Sequence, residues 1–169
     1  PAQVGQRPVG SVEHEPADIE LTRRAFQEHG RHLELEVVAR GRTAIDRLRT
    51  MPCDLLLLDY RLPDMTAIEM LKMIREEGLR VPVVIVTGQG DEETAVQAFK
   101  LGAADYVVKR PGYLAKLLST LEMVLGQQRL AEEKDALLVL NSLTRSIATV
   151  RELGDLTARV TRAAVELLH

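Results

Sequence analysis

Two short apolar runs, neither interrupted by a polar residue, constrain the fold of this chain more than any other feature. Residues 55–58 are four consecutive leucines directly before Asp59. Residues 83–86 are apolar and directly precede Thr87, and residues 83–87 are β-branched throughout. Apolar runs without alternation suit strands that are buried on both faces, and such strands lie in parallel sheets covered by helices. The chain is therefore predicted to fold around a parallel sheet with an aliphatic core.

Composition excludes several classes of function. Aromatic residues make up 3% of the chain, with no Trp, which argues against aromatic platforms that stack nucleic acid bases. The formal net charge of −3 gives no basic footprint for nucleic acid. Cys53 is the single cysteine and cannot form an internal disulfide, and no apolar run is long enough to cross a membrane. We therefore expect a cytoplasmic protein with no nucleic acid partner.

Helical patterns alternate with the strand patterns along the chain. Strands are predicted over 9–12, 33–39, 55–58, 83–87 and 106–109, and helices over 17–30, 43–50, 66–77, 91–101 and from residue 113 onward. Thr66 and Glu69 form a capping-box pattern at the start of the third helix. This alternation predicts an α/β, doubly wound fold with right-handed crossovers.

The two ends of the chain lie outside this pattern. Residues 1–8 lack periodicity and are predicted to be a flexible leader. Residues 127–169 are predicted to be a C-terminal helical extension, with a strongly polar stretch over 127–135 followed by an apolar stripe at helical spacing. The stripe consists of Leu137, Leu140, Leu143, Ile147 and Val150. A second helix of the same stripe is its natural cover, so a parallel homodimeric coiled coil is predicted from residue 113 to about residue 150. Gly154 is expected to end this helix, and Asp155 to cap another one.

Polar side chains follow the predicted strands at their carboxyl ends, which meet at one edge of a parallel sheet. They are Glu13, His14, Asp59, Thr87 and Lys109. Ligands of open parallel sheets bind at this edge. Carboxylates, a hydroxyl and an ammonium suit magnesium-assisted phosphoryl transfer, in which Asp59 would be the nucleophile and form an acyl phosphate.

Four segments together resemble the receiver domain of two-component response regulators over residues 9–126. They are Val12-Glu13-His14-Glu15-Pro16, residues 55–65 around Asp59, Val86-Thr87-Gly88 and residues 102–109 ending at Lys109. The resemblance implies a flavodoxin-like sheet of five parallel strands in the order 2-1-3-4-5, an order that general rules of fold architecture already associate with this family. It also implies a phosphoacceptor domain, which is not itself an enzyme but can belong to a larger one such as a hybrid histidine kinase.

The resemblance implies specific roles at this edge. Asp59 would take a phosphoryl group from the phosphohistidine of a sensor histidine kinase or phosphotransfer protein. Glu13, Asp59 and the backbone carbonyl of Arg61 would hold Mg²⁺, and Thr87 and Lys109 would bind the phosphoryl group.

Signal relay is implied as well. Thr87 and Tyr106 would form the conformational switch, and the C-terminal helix would pass the state on as a dimer. Residues 141–168 resemble the linker and first helix that precede a GAF-type sensory domain, which would make this chain part of a larger signalling protein.

His14 is the departure from the family pattern that matters most. It stands where the family usually has a second acidic residue, and imidazole is a poorer partner for Mg²⁺ than carboxylate. A histidine here is more often a neutral side chain satisfied by a neighbour than a metal ligand. The alternative function is therefore a pseudo-receiver, a dimerisation and partner-docking module with weakened or lost phosphorylation.

Two smaller points complete the comparison with the family pattern. Lys109 is followed by Arg110-Pro111 instead of directly by Pro, so the family's cis-prolyl turn is expected to be shifted or absent. A flavodoxin-like nucleotide or flavin site is disfavoured, because no glycine-rich loop follows the first strand and its acidic residues would repel a phosphate.

Overall fold

A computed structural model of the protein describes residues 8–28, 34–88 and 92–167, with side chains described as far as Thr144. The elements are β1 (Val9–Val12), α1 (Pro16–Glu28), β2 (Leu35–Val38), α2 (Gly41–Thr50), β3 (Leu55–Asp59), α3 (Ala67–Glu76), β4 (Val83–Thr87), α4 (Glu92–Lys100), β5 (Asp105–Val108) and α5 (Tyr113–Leu167). The chain divides into two compact units, residues 1–127 and residues 128–169.

The five strands form one parallel sheet in the order β2-β1-β3-β4-β5. Asp59 at the end of β3 pairs in register with Val86, and Thr87 at the end of β4 pairs with Val108. The predicted fold class and strand order are confirmed. Residues 1–7 of the predicted leader, the helix end at Gly30 and the helix start at Asp91 lie outside the described residues.

The two apolar runs are buried because the sheet is covered on both faces. Successive side chains of a strand point to opposite faces. Leu56, Leu58, Val83 and Ile85 pack in one cluster with α2 and α3, whereas Leu55, Leu57, Val84 and Val86 pack in another with α1 and the first part of α5. The absence of alternation in the sequence thus reflects two separate cores.

α5 continues without a break from Tyr113 to Leu167, so the expected helix end at Gly154 and the new start at Asp155 are wrong. A glycine inside a helix costs only about 1 kcal/mol relative to Ala. Helix-favouring residues on both sides can offset that cost. Between Lys109 and α5 no described peptide bond is cis, and Gly112, at a φ of 82°, makes the turn instead.

The start of α2 is held by a residue from a different loop. Arg40 gives α2 no side-chain cap, and the Asp64 carboxylate accepts hydrogen bonds from the backbone amides of Gly41 and Arg42 at 3.0 Å each. α2 therefore begins two residues before the predicted Thr43. A Cβ atom on residue 41 would lie 2.6 Å from the sulfur of Met65, so a larger residue there would require the Met65 side chain to move.

Asp64→Ala is expected to lower the free energy of unfolding at pH 7 by about 1 kcal/mol, the usual cost of losing a helix cap. Burial acts to raise the pKa of Asp64, but the hydrogen bonds from the Arg42 and Gly41 amides outweigh it and lower the pKa. A carboxyl group whose pKa is lowered in the folded protein stabilises the fold at pH values above its ordinary pKa of 3.8. That stability is lost as the pH falls through the lowered pKa. Urea unfolding of both proteins from pH 7 down to pH 3 tests this, and a difference that grows on acidification would contradict it.

Candidate functional site

Four polar residues lie at the carboxyl edge of the sheet, as parallel strands require. Glu13 follows β1, Asp59 ends β3, Thr87 ends β4 and Lys109 follows β5. Glu13 and Thr87 are buried, at 6% and 2% exposure, although both are polar. Buried polar groups of this kind are retained only where they have partners, so the edge is a candidate site.

Lys109 is the centre of the cluster. Its Nζ lies 2.8 Å from Glu13 Oε2, 2.8 Å from Asp59 Oδ1 and 2.5 Å from Asp18 Oδ2. Burial acts to lower the pKa of Lys109, but the hydrogen bonds to the three carboxylates outweigh it and raise the pKa well above its ordinary value. Lys109 is therefore a fixed positive charge surrounded by three acidic groups.

Asp18 was not predicted as a member of the site. It lies in the first turn of α1, where an acidic residue is sufficiently explained by the helix dipole. Only the packing of α1 against the sheet brings its carboxylate to Lys109. No motif or spacing in the sequence distinguishes Asp18 as a site residue from an ordinary acidic residue at a helix start.

The backbone holds the other oxygen of the two strand-end carboxylates. Glu13 Oε1 accepts hydrogen bonds from the amides of His14 and Glu15, at 2.8 and 3.0 Å. Asp59 Oδ2 accepts one from the amide of Arg61 at 3.2 Å. Each carboxylate is thus oriented from both sides before any ligand binds, which is the preorganisation that phosphoryl transfer needs.

His14 lies against the same cluster. Its Nδ1 is 3.8 Å from Glu13 Oε1, and its Nε2 is 3.5 Å from Glu15 Oε1. Nδ1 is buried and has no hydrogen-bond partner, although the side chain as a whole is 32% exposed. Donor atoms of Glu13, His14 and Asp59 lie within 4.8 Å of one another. Two carboxylates and an imidazole fit a divalent cation, although the imidazole is not a ligand that Mg²⁺ favours.

The other residues predicted for the site and the switch are Arg61, Thr87 and Tyr106. Arg61 is two residues beyond Asp59 and forms an isolated antiparallel bridge with Thr66. The backbone carbonyl of Thr87 accepts a hydrogen bond from the amide of Lys109 at 2.7 Å, which ties the ends of β4 and β5 together. Tyr106 is 9% exposed and packs in the core cluster beside α3.

The family model of the response regulator receiver domain matches residues 9–122 of the chain. The chain belongs to this family. Within the ranges that the structure describes, no helix of the receiver or of its extension combines the length and hydropathy needed to cross a bilayer. The family match ends before the extension, so the GAF-type resemblance stays a prediction.

Individual relatives agree with the family match. The receiver is 40% identical over 77 residues to the regulatory protein LuxO of Vibrio cholerae, which covers 46% of this chain and 17% of LuxO. It is 41% identical over 86 residues to the transcriptional regulatory protein ZraR of Escherichia coli, covering 51% of this chain and 19% of ZraR. The chain thus spans about a fifth of the length of these curated relatives.

Solved structures show the same fold. A crystal structure described as the signal receiver domain of a Luxo repressor protein from Vibrio parahaemolyticus superposes with a TM-score of 0.70 at 25% identity, covering 75% of this chain and 95% of that one. The chemotaxis response regulator CheY4 of Vibrio cholerae gives a TM-score of 0.62 at 25% identity, with 70% and 98% covered. Both similarities extend over nearly the whole of the compared receiver.

Proposed function

We propose that this receiver accepts a phosphoryl group on Asp59. The observation that carries the proposal is the contact of the Asp59 carboxylate with the Lys109 ammonium, beside Glu13, at the carboxyl edge of the sheet. An oxygen of Asp59 attacks phosphorus, the bond from phosphorus to the nitrogen of a phosphohistidine breaks, and that nitrogen keeps the electron pair. The donor is a sensor histidine kinase or a phosphotransfer protein, in the cytoplasm.

The residues around Asp59 divide the remaining work. Glu13, Asp59 and the Arg61 carbonyl would hold Mg²⁺, which when bound neutralises charge on the phosphoryl oxygens. The Lys109 ammonium contacts the Asp59 carboxylate and would bind the negatively charged phosphoryl oxygens after transfer. The Thr87 hydroxyl would donate a hydrogen bond to the phosphoryl group. Because Glu13 and Asp59 are oriented by backbone amides, little reorganisation accompanies the reaction.

Acetyl phosphate supplies a direct test, because it can phosphorylate a receiver without a kinase. We expect intact-mass spectra of the wild type, incubated with acetyl phosphate and Mg²⁺, to show the addition of one phosphoryl group. Asp59→Asn removes the nucleophile and is expected to abolish that addition. Asp54→Asn, on the loop before β3, is the matched control and is expected to be labelled like the wild type. Equal labelling of Asp59→Asn and the wild type would contradict the proposal.

The second part of the proposal concerns the output. Thr87 and Tyr106 would change position on phosphorylation and bias the face formed by α4, β5 and α5. The C-terminal unit would then relay the state as a homodimer. Leu137, Leu140 and Leu143 support this, because each is 56% to 61% exposed on α5 and a partner helix would bury all three.

The pseudo-receiver is the second candidate function, and His14 is the observation that favours it. Replacement of an acid by an imidazole removes a carboxylate from the expected magnesium ligands. In that case acetyl phosphate would label neither the wild type nor Asp59→Asn, and His14→Asp would restore labelling. The mass spectra therefore separate the two functions directly.

A further inference from the structure

His14 changes the kind of ligand set that the receiver offers. We propose that Glu13, His14 and Asp59 form a mixed carboxylate and imidazole site that prefers a borderline transition-metal dication, such as Co²⁺ or Zn²⁺, to Mg²⁺. The inference rests on the proposed function only in that it concerns the same site. It assigns to His14 the role of a specificity-determining ligand, where the family pattern would place an acid.

The geometry of the imidazole supports a ligand role. His14 Nδ1 is buried, lacks a hydrogen-bond partner and faces Glu13 Oε1 across 3.8 Å. A buried nitrogen without a partner is costly unless something binds it. One possible donor atom from each of Glu13, His14 and Asp59 already lies within 4.8 Å of the others, so a single cation could be held by the imidazole and both carboxylates.

The chemistry of the donors determines the choice of cation. Mg²⁺ prefers oxygen ligands and loses its water reluctantly, whereas imidazole nitrogen binds Zn²⁺, Co²⁺ and Fe²⁺ readily. Relative to Mg²⁺, a set of two carboxylates and one imidazole therefore favours a borderline ion more strongly than a set of three carboxylates does. The site keeps its oxygen ligands, so the change is one of selectivity and does not abolish cation binding.

Asp18 makes this exchange electrostatically feasible. Lys109 contacts Glu13 and Asp59, and a metal bound by these two carboxylates would compete for them. The third contact, from Lys109 to Asp18 at 2.5 Å, gives the ammonium a partner that is not a proposed metal ligand. Asp18 also adds a third carboxylate to those around Lys109. The described cluster thus keeps three carboxylates around one ammonium.

The test is a titration of the untagged chain with Co²⁺ and, separately, with Mg²⁺, by calorimetry and by the visible absorption of Co²⁺. We expect His14→Asp to lower the ratio of Co²⁺ affinity to Mg²⁺ affinity by at least about tenfold. That is the lower end of the loss of metal affinity found when residues that orient metal ligands are mutated. We also expect His14→Ala to change the Co²⁺ spectrum. Gln97→Glu adds a negative charge on the exposed surface of α4 and is expected to keep the wild-type ratio. Asp59→Asn is expected to weaken the binding of both ions, which distinguishes this site from cation binding at the other histidines of the chain.

Equal ratios in the wild type and His14→Asp would overturn the proposal, as would a Co²⁺ spectrum that His14→Ala leaves unchanged. Parallel labelling with acetyl phosphate keeps the two proposals apart. If His14→Asp lowers the affinity ratio but acetyl phosphate labels the wild type with neither Co²⁺ nor Mg²⁺, the result supports the imidazole site and contradicts the phosphoacceptor function. Labelling with equal ratios supports the phosphoacceptor function and overturns the imidazole site alone.

Discussion

Lys109→Met is expected to lower the free energy of unfolding by about 3–5 kcal/mol, the range found when one partner of a buried ion pair is removed. Methionine keeps much of the side-chain volume but none of the charge. Glu13 and Asp59, at 8% and 10% side-chain exposure, would then remain buried beside Asp18 without a counter-ion. Urea unfolding at pH 7 measures the loss.

The pH range in which Lys109 stabilises the fold follows from the direction of its pKa. A raised lysine pKa gives stability that is fully present below the ordinary value of 10.5 and is lost as pH rises through the raised value. The difference between the wild type and Lys109→Met is therefore expected to be complete at pH 7.

The matched control for this prediction is Lys116→Met, the same change at an exposed position of α5. It is expected to alter the free energy of unfolding by no more than about 0.5 kcal/mol. If the two variants unfold alike, Lys109 does not hold the three carboxylates together in the folded protein.

Replacement of Leu137, Leu140 and Leu143 by Gln in one variant is expected to convert a dimer into a monomer. These leucines recur at helical spacing on α5 and carry the apolar seam that a parallel two-stranded coiled coil would bury. Glutamine retains helix propensity, so the change removes the seam and keeps the helix. Light scattering of the full chain, over a range of concentrations, measures the mass in solution.

Leu138→Gln is the matched control for the dimer. Leu138 is 58% exposed, as much as its neighbours, but at about 100° per residue it lies on the other side of α5 from the stripe. It is expected to leave the dimer intact. A wild type that is monomeric, or a triple variant that stays dimeric, would remove the proposed relay through α5. Ile147 and Val150, which complete the predicted stripe, lie beyond the described side chains.

Much of the fold could be predicted because the sheet is buried on both faces. The runs at 55–58 and 83–87 have only one suitable environment, and the capping box of Thr66 and Glu69 forms as its spacing indicates. Gly154 shows where local rules fail. A glycine ends a helix only where its unfavourable helix propensity outweighs the favourable propensity of the residues around it. Around Gly154 it does not, and α5 continues.

The site was predictable where residues follow strands and unpredictable where helices contribute. The parallel sheet fixes where Glu13, Asp59 and Lys109 meet, so order along the chain was sufficient to expect their proximity. Asp18 and Asp64 reach their partners only through the packing of whole elements. Each also has an ordinary local explanation, as a helix-start acid and as a turn residue, and nothing in the sequence favoured the long-range contact.

The central claim is that Asp59, and no other carboxylate of the cluster, carries the phosphoryl group. Borohydride reduces an aspartyl phosphate to homoserine, so peptide mapping after reduction marks the residue that was modified. After treatment with acetyl phosphate and Mg²⁺, we predict homoserine at position 59 alone. Homoserine at Asp18, or no reduced residue at all, would contradict the account.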